Sequence, residues 1–233
     1  MVTVPRSPLE VLSSTSLLHS AKRSTLERLA AASLVRTVRR DQILFVAGSR
    51  SSAVYAVASG TLRVFTTSPV GAEPTLALLA AGDLVGELGV LDDVARSTSV
   101  AALRTSDVVE VPGRAFRDAF ESDPAIARRL VGLLSARLRS SNDGFTDLAS
   151  LDLGGRLAKY LLGEMERQGH DRLRLPLTQT ELGQLLGGAR QTVNQVMQAL
   201  ERSGLVEVSG RTVRVVDAQG LRRRANGLSE TGR

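Results

Sequence analysis

The 233-residue sequence contains no cysteine and only two histidines. Without thiols the chain can form neither disulfides nor thiolate zinc or iron–sulfur sites, and it has no cysteine nucleophile. His19 and His170 fall in different predicted domains, so we expect no metal site. No pair of acids suited to hydrolysis and no nucleophile–base set is recognisable either. We therefore predict no catalytic residues and a protein that is not an enzyme.

Long apolar segments are also missing. No apolar run approaches the roughly 18 residues of a membrane span, and the N-terminus lacks the basic-then-apolar pattern of a signal peptide. We therefore expect a cytoplasmic protein with no membrane partner. Residues 1–15 are rich in Ser, Pro and Thr and are predicted to be a loose tail, and residues 225–233 a flexible one.

The length allows two modest domains, and the positive charge is unevenly distributed between them. The net charge is +6, with 13 Lys and Arg against 9 Asp and Glu from residue 151 onward. A basic C-terminal part fits a polyanionic partner. The excess is too small to decide the matter alone.

A β-rich region extends from about Leu34 to about Pro112. Gly48, Gly60, Gly71 and Gly82 interrupt it at intervals of about 11 residues. Segments rich in β-branched or apolar residues occupy 43–47, 53–59, 61–67, 75–80, 97–103 and 107–111. This pattern predicts a small barrel or β-roll. The connections leave no room for crossover helices, which disfavours a parallel α/β sheet.

Helices are predicted on both sides of this region. Ser24 and Glu27 have capping-box spacing and predict a helix through about Ala32. A short helix is predicted over 114–120, and a longer one over 124–149. The longer helix carries a periodic stripe at Leu130, Leu134, Leu138, Ser141, Phe145 and Leu148. Either a second copy covers this stripe in a C2 dimer, or it belongs to an intramolecular core.

Residues 177–202 have the pattern of two short helices joined by a glycine turn. Thr178 and Glu181 form a capping box before the first helix, and Gly187-Gly188 follow it. The second helix turns polar side chains outward whose types suit base edges. This pattern indicates a DNA-binding helix-turn-helix, although similar helix pairs also occur in all-helical cores. The hairpin over 205–216 predicts a wing in which Arg211 and Arg214 reach phosphates.

Residues 82–100 combine groups suited to a charged ribose–phosphate. Gly86 permits close backbone approach, and the amides around Gly86–Leu88 could donate to an anion. Glu87 suits a ribose hydroxyl, Arg96 offers a charged fork for a phosphate, and Ser97 adds a hydroxyl. The alternative is a Glu87–Arg96 ion pair at the surface.

The Gly-Glu-Leu of residues 86–88 followed by Arg96-Ser97 resembles the phosphate-binding cassette of cyclic-nucleotide-binding domains. From about Leu34 to Val216 the chain resembles the CRP/FNR family of bacterial transcription regulators, related to the cyclic-AMP receptor protein. The likeness rests on the order of three features: β-roll, long helix and helix-turn-helix.

The resemblance implies an α+β protein with an N-terminal β-roll domain (1–120), a dimerisation helix (121–150) and a winged helix-turn-helix domain (151–224). It further implies a homodimer that binds an operator in double-stranded DNA and contacts RNA polymerase. Cyclic AMP would be the effector, with no other cofactor. Ligand contacts are expected from Gly86, Glu87, Leu88, Arg96, Ser97, Ser141 and Asn142, and DNA contacts from Thr178, Arg190, Gln191, Thr192, Asn194, Gln195 and Arg211.

This sequence departs from the family pattern in its second helix. By resemblance Arg190, Gln191 and Gln195 occupy the base-reading positions, where many members carry Arg, Glu and a basic residue. Ala189 stands where a Ser often caps this helix, at a cost of about 1 kcal/mol. Two alternatives remain open: a regulator that ignores cyclic AMP or senses another ligand, and a nucleotide-binding subunit that acts on a protein partner.

Overall fold

The computed structural model describes residues 7–227. The chain divides into two compact units, Met1–Arg137 and Leu138–Arg233. The first unit contains, in chain order, α1 (Pro8–Ser14), α2 (Arg23–Ala32), β1 (Leu34–Val38), β2 (Ile43–Phe45), β3 (Ala53–Ser59), β4 (Thr61–Phe65), β5 (Thr75–Ala80), β6 (Leu84–Val85), α3 (Glu87–Leu91), β7 (Ser99–Ala102), β8 (Ser106–Pro112), α4 (Gly113–Ser122) and the start of α5 (Pro124–Ser150).

The strands of this unit form two four-stranded sheets, with the orders β1-β8-β3-β6 and β2-β7-β4-β5. Neighbouring strands pair antiparallel. Each predicted β segment contains a strand, while β1 and β6 were not separately predicted. Val57, Leu62, Val100 and Val108 are fully buried in a core to which both sheets contribute. The β-roll prediction is confirmed.

The prediction of a loose N-terminal tail is wrong for residues 8–14, which form α1. Ser7 caps this helix: its side chain accepts from the Glu10 amide, and the Glu10 carboxylate accepts from the Ser7 amide. Val11 and Leu12 are almost fully buried in the core of the first unit. Burial of two apolar side chains offsets the entropy cost of ordering this short segment. Residues 1–6 lie outside the described part of the chain.

Helix α2 is capped from a distant part of the chain. The predicted Ser24–Glu27 capping box is wrong, because α2 begins at Arg23, which places Ser24 inside the helix, and Glu27 pairs with Arg23. The Lys22 amide donates instead to Asp123 Oδ2, at 2.7 Å. Asp123 is 1% exposed, and the hydrogen bond from Lys22 holds its pKa below the ordinary value.

The second unit contains the rest of α5, then α6 (Leu153–Gln168), β9 (Arg172–Arg174), α7 (Gln179–Leu186), α8 (Arg190–Arg202), β10 (Val206–Ser209), β11 (Thr212–Val215) and α9 (Ala218–Ala225). The strands form an antiparallel sheet of order β10-β11-β9. The helix-turn-helix and the wing hairpin are present as predicted. None of the helices within residues 7–227 is long and apolar enough to cross a membrane.

Helix α9 was not predicted, and a flexible tail was expected from residue 225 onward. Asp217 caps α9 by accepting hydrogen bonds from the amides of Gln219 and Gly220. Leu221 is fully buried and Ala225 is 8% exposed. The segment up to Ala225 is therefore ordered by packing, and the predicted flexible tail is wrong for Ala225. Residues 228–233 of the predicted flexible tail lie outside the described range.

Candidate functional site

Gly86 shapes the start of the predicted ligand cassette. It has φ 90° and lies at the N-cap position of α3. A Cβ atom added there would lie 2.3 Å from Arg96 Nη1. Glycine is favoured both by this left-handed conformation and by the close approach of the guanidinium. The absence of a side chain at residue 86 thus allows the first turn of α3 to lie directly against Arg96.

The Arg96 guanidinium is buried, with the residue 5% exposed. Its Nη1 donates to Gly86 O at 2.8 Å, its Nη2 donates to Ala53 O, and the group lies 4.3 Å from the centre of the Phe45 ring. Nε is buried without a hydrogen-bond partner among the described residues. Burial lowers the pKa of Arg96. The result is a buried cation held by two carbonyls, with donor capacity remaining for an anion.

Glu87 is also buried, at 3% exposure. Its Oε1 accepts from Arg137 Nη1 at 2.5 Å, and Arg137 Nη2 donates to Leu84 O at 3.2 Å. The alternative of a surface ion pair between Glu87 and Arg96 is therefore wrong, because Glu87 pairs with Arg137 instead. Our sequence reasoning missed Arg137, which lies 50 residues from Glu87 with no local motif linking them.

The other predicted ligand residues are exposed. Leu88 is 41% exposed on α3, and Ser97 is exposed next to Arg96. Ser141 and Asn142 are exposed on the part of α5 that belongs to the second unit. The structure thus brings Gly86, Glu87 and Arg96 together. Roles for the exposed residues stay predictions.

The stripe on α5 differs in part from the predicted one. Leu130 is 6% exposed and belongs to the core of the first unit, and Leu134 packs against the same core, so for these two residues the intramolecular alternative is correct. Four large apolar side chains along this helix are more than half exposed: Val131, Leu138, Phe145 and Leu148. Residues 131, 138 and 145 are spaced by seven, as are 141 and 148. This is the repeat of a two-helix seam.

The helix-turn-helix is built as its local signals predict. The Thr178 side chain accepts from the Glu181 amide, and Glu181 accepts from the Thr178 amide. A Cβ atom at Gly183 would lie 2.4 Å from Gly188 O, so glycine allows the turn to close against α7. On α8, Val193, Met197 and Leu200 are buried against the rest of the unit.

The opposite face of α8 is polar and exposed. Its exposed side chains include Arg190, Gln191, Thr192, Asn194 and Gln195. The Asn194 side chain accepts from Gln179 Nε2 at 3.3 Å, which links this face to α7. Ala189 lies at the N-cap position of α8 with extended backbone dihedrals and offers no side-chain acceptor. The predicted base-reading residues therefore share one solvent-exposed surface.

The wing adds cations beside this helix pair. Gly210, at φ 60°, and Arg211 make a two-residue connection between β10 and β11, and Arg211 is exposed. Arg214 forms a bidentate ion pair with Glu207, with N–O distances of 2.6 and 3.0 Å. The Glu207 charge offsets that of Arg214, so Arg211 is the better candidate for a phosphate contact.

Comparison with known proteins identifies both units. The model of the cyclic nucleotide-binding domain matches residues 35–123, and that of the Crp-like helix-turn-helix domain matches residues 155–224. The cyclic AMP receptor protein of Thermus thermophilus is 36% identical over 186 residues, 80% of this chain and 85% of that protein. The chain belongs to the CRP/FNR family of transcription regulators.

Other CRP/FNR proteins match over most of their length. A "CRP-like cAMP-activated global transcriptional regulator" of Mycobacterium tuberculosis is 28% identical over 221 residues, 93% of this chain and 99% of that protein. The solved structure of the c-di-GMP responsive regulator CLP of Xanthomonas campestris shares the fold. Its TM-score is 0.73 at 23% identity, with 84% of this chain and 100% of that chain covered.

Proposed function

We propose that this CRP/FNR-family chain is a homodimeric, DNA-binding transcription regulator whose operator affinity is controlled by cyclic AMP bound in the β-roll. The observation that carries the proposal is the Arg96 guanidinium, 5% exposed and with its Nε unpartnered among the described residues. Burying a permanent cation is costly unless an anion or a full set of acceptors compensates. The cyclic phosphate supplies the missing negative charge.

The neighbouring groups suit the rest of the ligand. Arg137 occupies Oε1 of Glu87, and we assign Oε2 to the ribose 2′-hydroxyl. Ser97 adds a hydroxyl to the phosphate site. Ser141 and Asn142 contact the adenine, one from each subunit. The choice of cyclic AMP is supported by relatives named for it, at 28% and 36% identity.

The dimer is supported by the exposed side chains of α5. Phe145 is 75% exposed and Leu138 64%, and such a row of large apolar groups is costly to leave in water. Packing α5 against its copy in a second chain covers the seam. We therefore assign α5 as the dimerisation helix.

DNA binding uses the polar face of α8 in the major groove, with Arg190 reading guanine and the wing contacting phosphates. Cyclic AMP controls this binding by favouring one arrangement of the dimer over another, which requires a different affinity for the two. RNA polymerase is the partner we assign to the DNA-bound dimer.

Selection of random double-stranded DNA on the purified protein, with and without cyclic AMP, tests the proposal. We expect a palindromic site to be enriched and to bind more tightly with the nucleotide than without it. Cyclic GMP and c-di-GMP at the same concentration serve as controls for the effector. Equal affinity with and without cyclic AMP would reject its role as effector, and no retained DNA at low salt would reject DNA binding.

A further inference from the structure

Helix α9 makes a specific contact at the start of α6, inside the second unit. Arg224, near the end of α9, places Nη2 2.5 Å from Asp152 Oδ2. The other oxygen of the same carboxylate accepts from the Gly155 amide at 2.8 Å and so caps α6. One aspartate therefore connects the last turn of α9 to the first turn of α6.

The first turn of α6 leaves room for this contact. A Cβ atom at Gly154 would lie 2.2 Å from Arg224 Nη2, and one at Gly155 would lie 3.2 Å from Arg224 O. Because the atoms near Gly154 belong to the end of a flexible side chain, an alanine there would displace the guanidinium and leave the backbone in place. The two glycines thus permit α9 to approach α6 closely.

The residues around Asp152 also contact the helix-turn-helix. Leu153, the first residue of α6, lies against the turn: a Cβ atom at Gly188 would be 2.7 Å from Leu153 Cδ2. Leu148, near the end of α5, lies against Gly187 in the same manner, at 3.2 Å. The position of the α5–α6 junction and that of the turn before α8 are therefore coupled by direct packing.

We propose that Arg224 is a positioning residue for DNA binding: by holding Asp152, it keeps the α5–α6 junction in the place that orients the turn before the recognition helix α8. The inference rests on the proposed function for its readout, which is operator affinity. Arg224 touches neither base nor phosphate in this role. It acts through Asp152 and Leu153.

A double-mutant cycle with Arg224→Ala and Asp152→Asn tests the inference on the full-length protein. Asparagine retains a side-chain oxygen that can still cap α6, so the cycle isolates the ion pair. We expect each single variant to lose roughly threefold to tenfold in operator affinity at saturating cyclic AMP. The double variant is expected to lose no more than either single one.

Two matched controls separate positioning from simpler effects. Arg222→Ala removes the same charge from the same helix, at an exposed position, and reports any general attraction of α9 to DNA. Gly154→Ala should reproduce the loss seen in Arg224→Ala, whereas Gly163→Ala, in the same helix with nothing within 4 Å of its Cβ position, should not. The affinity of the DNA-free protein for cyclic AMP should change less than about twofold in all of these variants.

The inference is overturned if the single losses add, if Arg222→Ala weakens operator binding as much as Arg224→Ala, or if Gly154→Ala behaves like Gly163→Ala. Hydrogen exchange at the Gly155 amide gives a readout that needs no DNA. Faster exchange in Arg224→Ala than in Arg222→Ala is expected, and equal exchange counts against the inference. If the wild-type protein binds its operator equally with and without cyclic AMP, the proposed effector is rejected. The double-mutant cycle can then still be measured by operator affinity and tests the role of Arg224 on its own.

Discussion

The two units present their candidate functional side chains in opposite ways. In the β-roll, Glu87 and Arg96 are at least 95% buried and are already bonded to protein groups. On α8, Arg190, Gln191 and Gln195 point into solvent. A small charged ligand can be enclosed and its charge matched in a site of low dielectric. A DNA groove has to be reached from outside, so its readers stay exposed.

The largest expected effect comes from removing the buried cation of the β-roll. Arg96→Ala should weaken cyclic AMP binding about hundredfold or more, because charge-assisted hydrogen bonds to the phosphate are lost. Titration calorimetry measures the affinity. Arg96→Lys keeps the charge but not the planar fork and should bind with intermediate affinity. Arg40→Ala, at an exposed ion pair, is the control, and equal affinities in wild type and Arg96→Ala would remove Arg96 from the site.

The seam of α5 is the next test, because its most exposed side chain, Phe145, belongs neither to the candidate ligand residues nor to the candidate DNA-reading residues. Phe145→Arg places a charge in the proposed dimer contact and should cost about 3 kcal/mol or more of dimer stability, judged from core aromatic truncations. The dimer dissociation constant should rise at least about hundredfold. Analytical ultracentrifugation measures it. Ser140→Arg, exposed and off the seam, should dimerise normally, and an unchanged dimer in Phe145→Arg would refute the seam.

Among the exposed residues of α8, Arg190→Ala should weaken operator binding by about 1–3 kcal/mol. It should also relax the base preference at one base pair of the operator. Arg211→Ala should instead weaken all sequences alike and lower the salt slope by about 1. Binding to the operator and to single-base variants at several salt concentrations separates the two. A uniform loss in Arg190→Ala would assign that residue to phosphate rather than to base contact.

A smaller effect, on the free energy of unfolding, is expected when the cap of α2 in the first unit is changed. Asp123→Asn should lower the free energy of unfolding by about 1 kcal/mol at pH 7, since the cap of α2 loses its charge. The pKa of Asp123 is lowered in the folded state, so its stabilisation is complete above the unfolded pKa of about 3.9 and is lost as the pH falls through the folded pKa. Urea unfolding from pH 7 to pH 2 should show the difference between the two proteins starting to shrink below about pH 3.9. A difference that does not shrink below that pH would contradict the charge-dependent cap.

The smallest predicted effect is a gain. Ala189→Ser should stabilise the second unit by about 0.5–1 kcal/mol, because the extended backbone at this N-cap position suits a side-chain acceptor for the first amides of α8. Ala199→Ser, exposed on the same helix, should not stabilise it, since serine is the poorer helix former. Urea unfolding of both variants measures the difference. If both substitutions changed the free energy of unfolding equally, the first amides of α8 would gain nothing from a side-chain acceptor at residue 189.

Features with short-range causes were predictable from the sequence. The capping box of Thr178 and Glu181, the glycine turn and the apolar spacing of α8 all act within 26 residues. The alternation of the β segments with Gly48, Gly60, Gly71 and Gly82 predicted the strands in the same way. Each of these rules depends on neighbours a few residues apart, so one stretch of sequence contains the whole signal.

Apart from the local caps of α1 and α9, the interactions that the sequence did not reveal join distant residues. Asp123 caps α2 across 101 residues, Arg137 binds Glu87 across 50, and Arg224 binds Asp152 across 72. Many arginines and aspartates could have formed such pairs, and only packing selects which side chains meet. The sequence by itself thus determined most of the helices and strands, their order and the family. The tertiary structure decided which of these distant groups meet, because a long-range pair is specified by the whole fold and not by its local sequence.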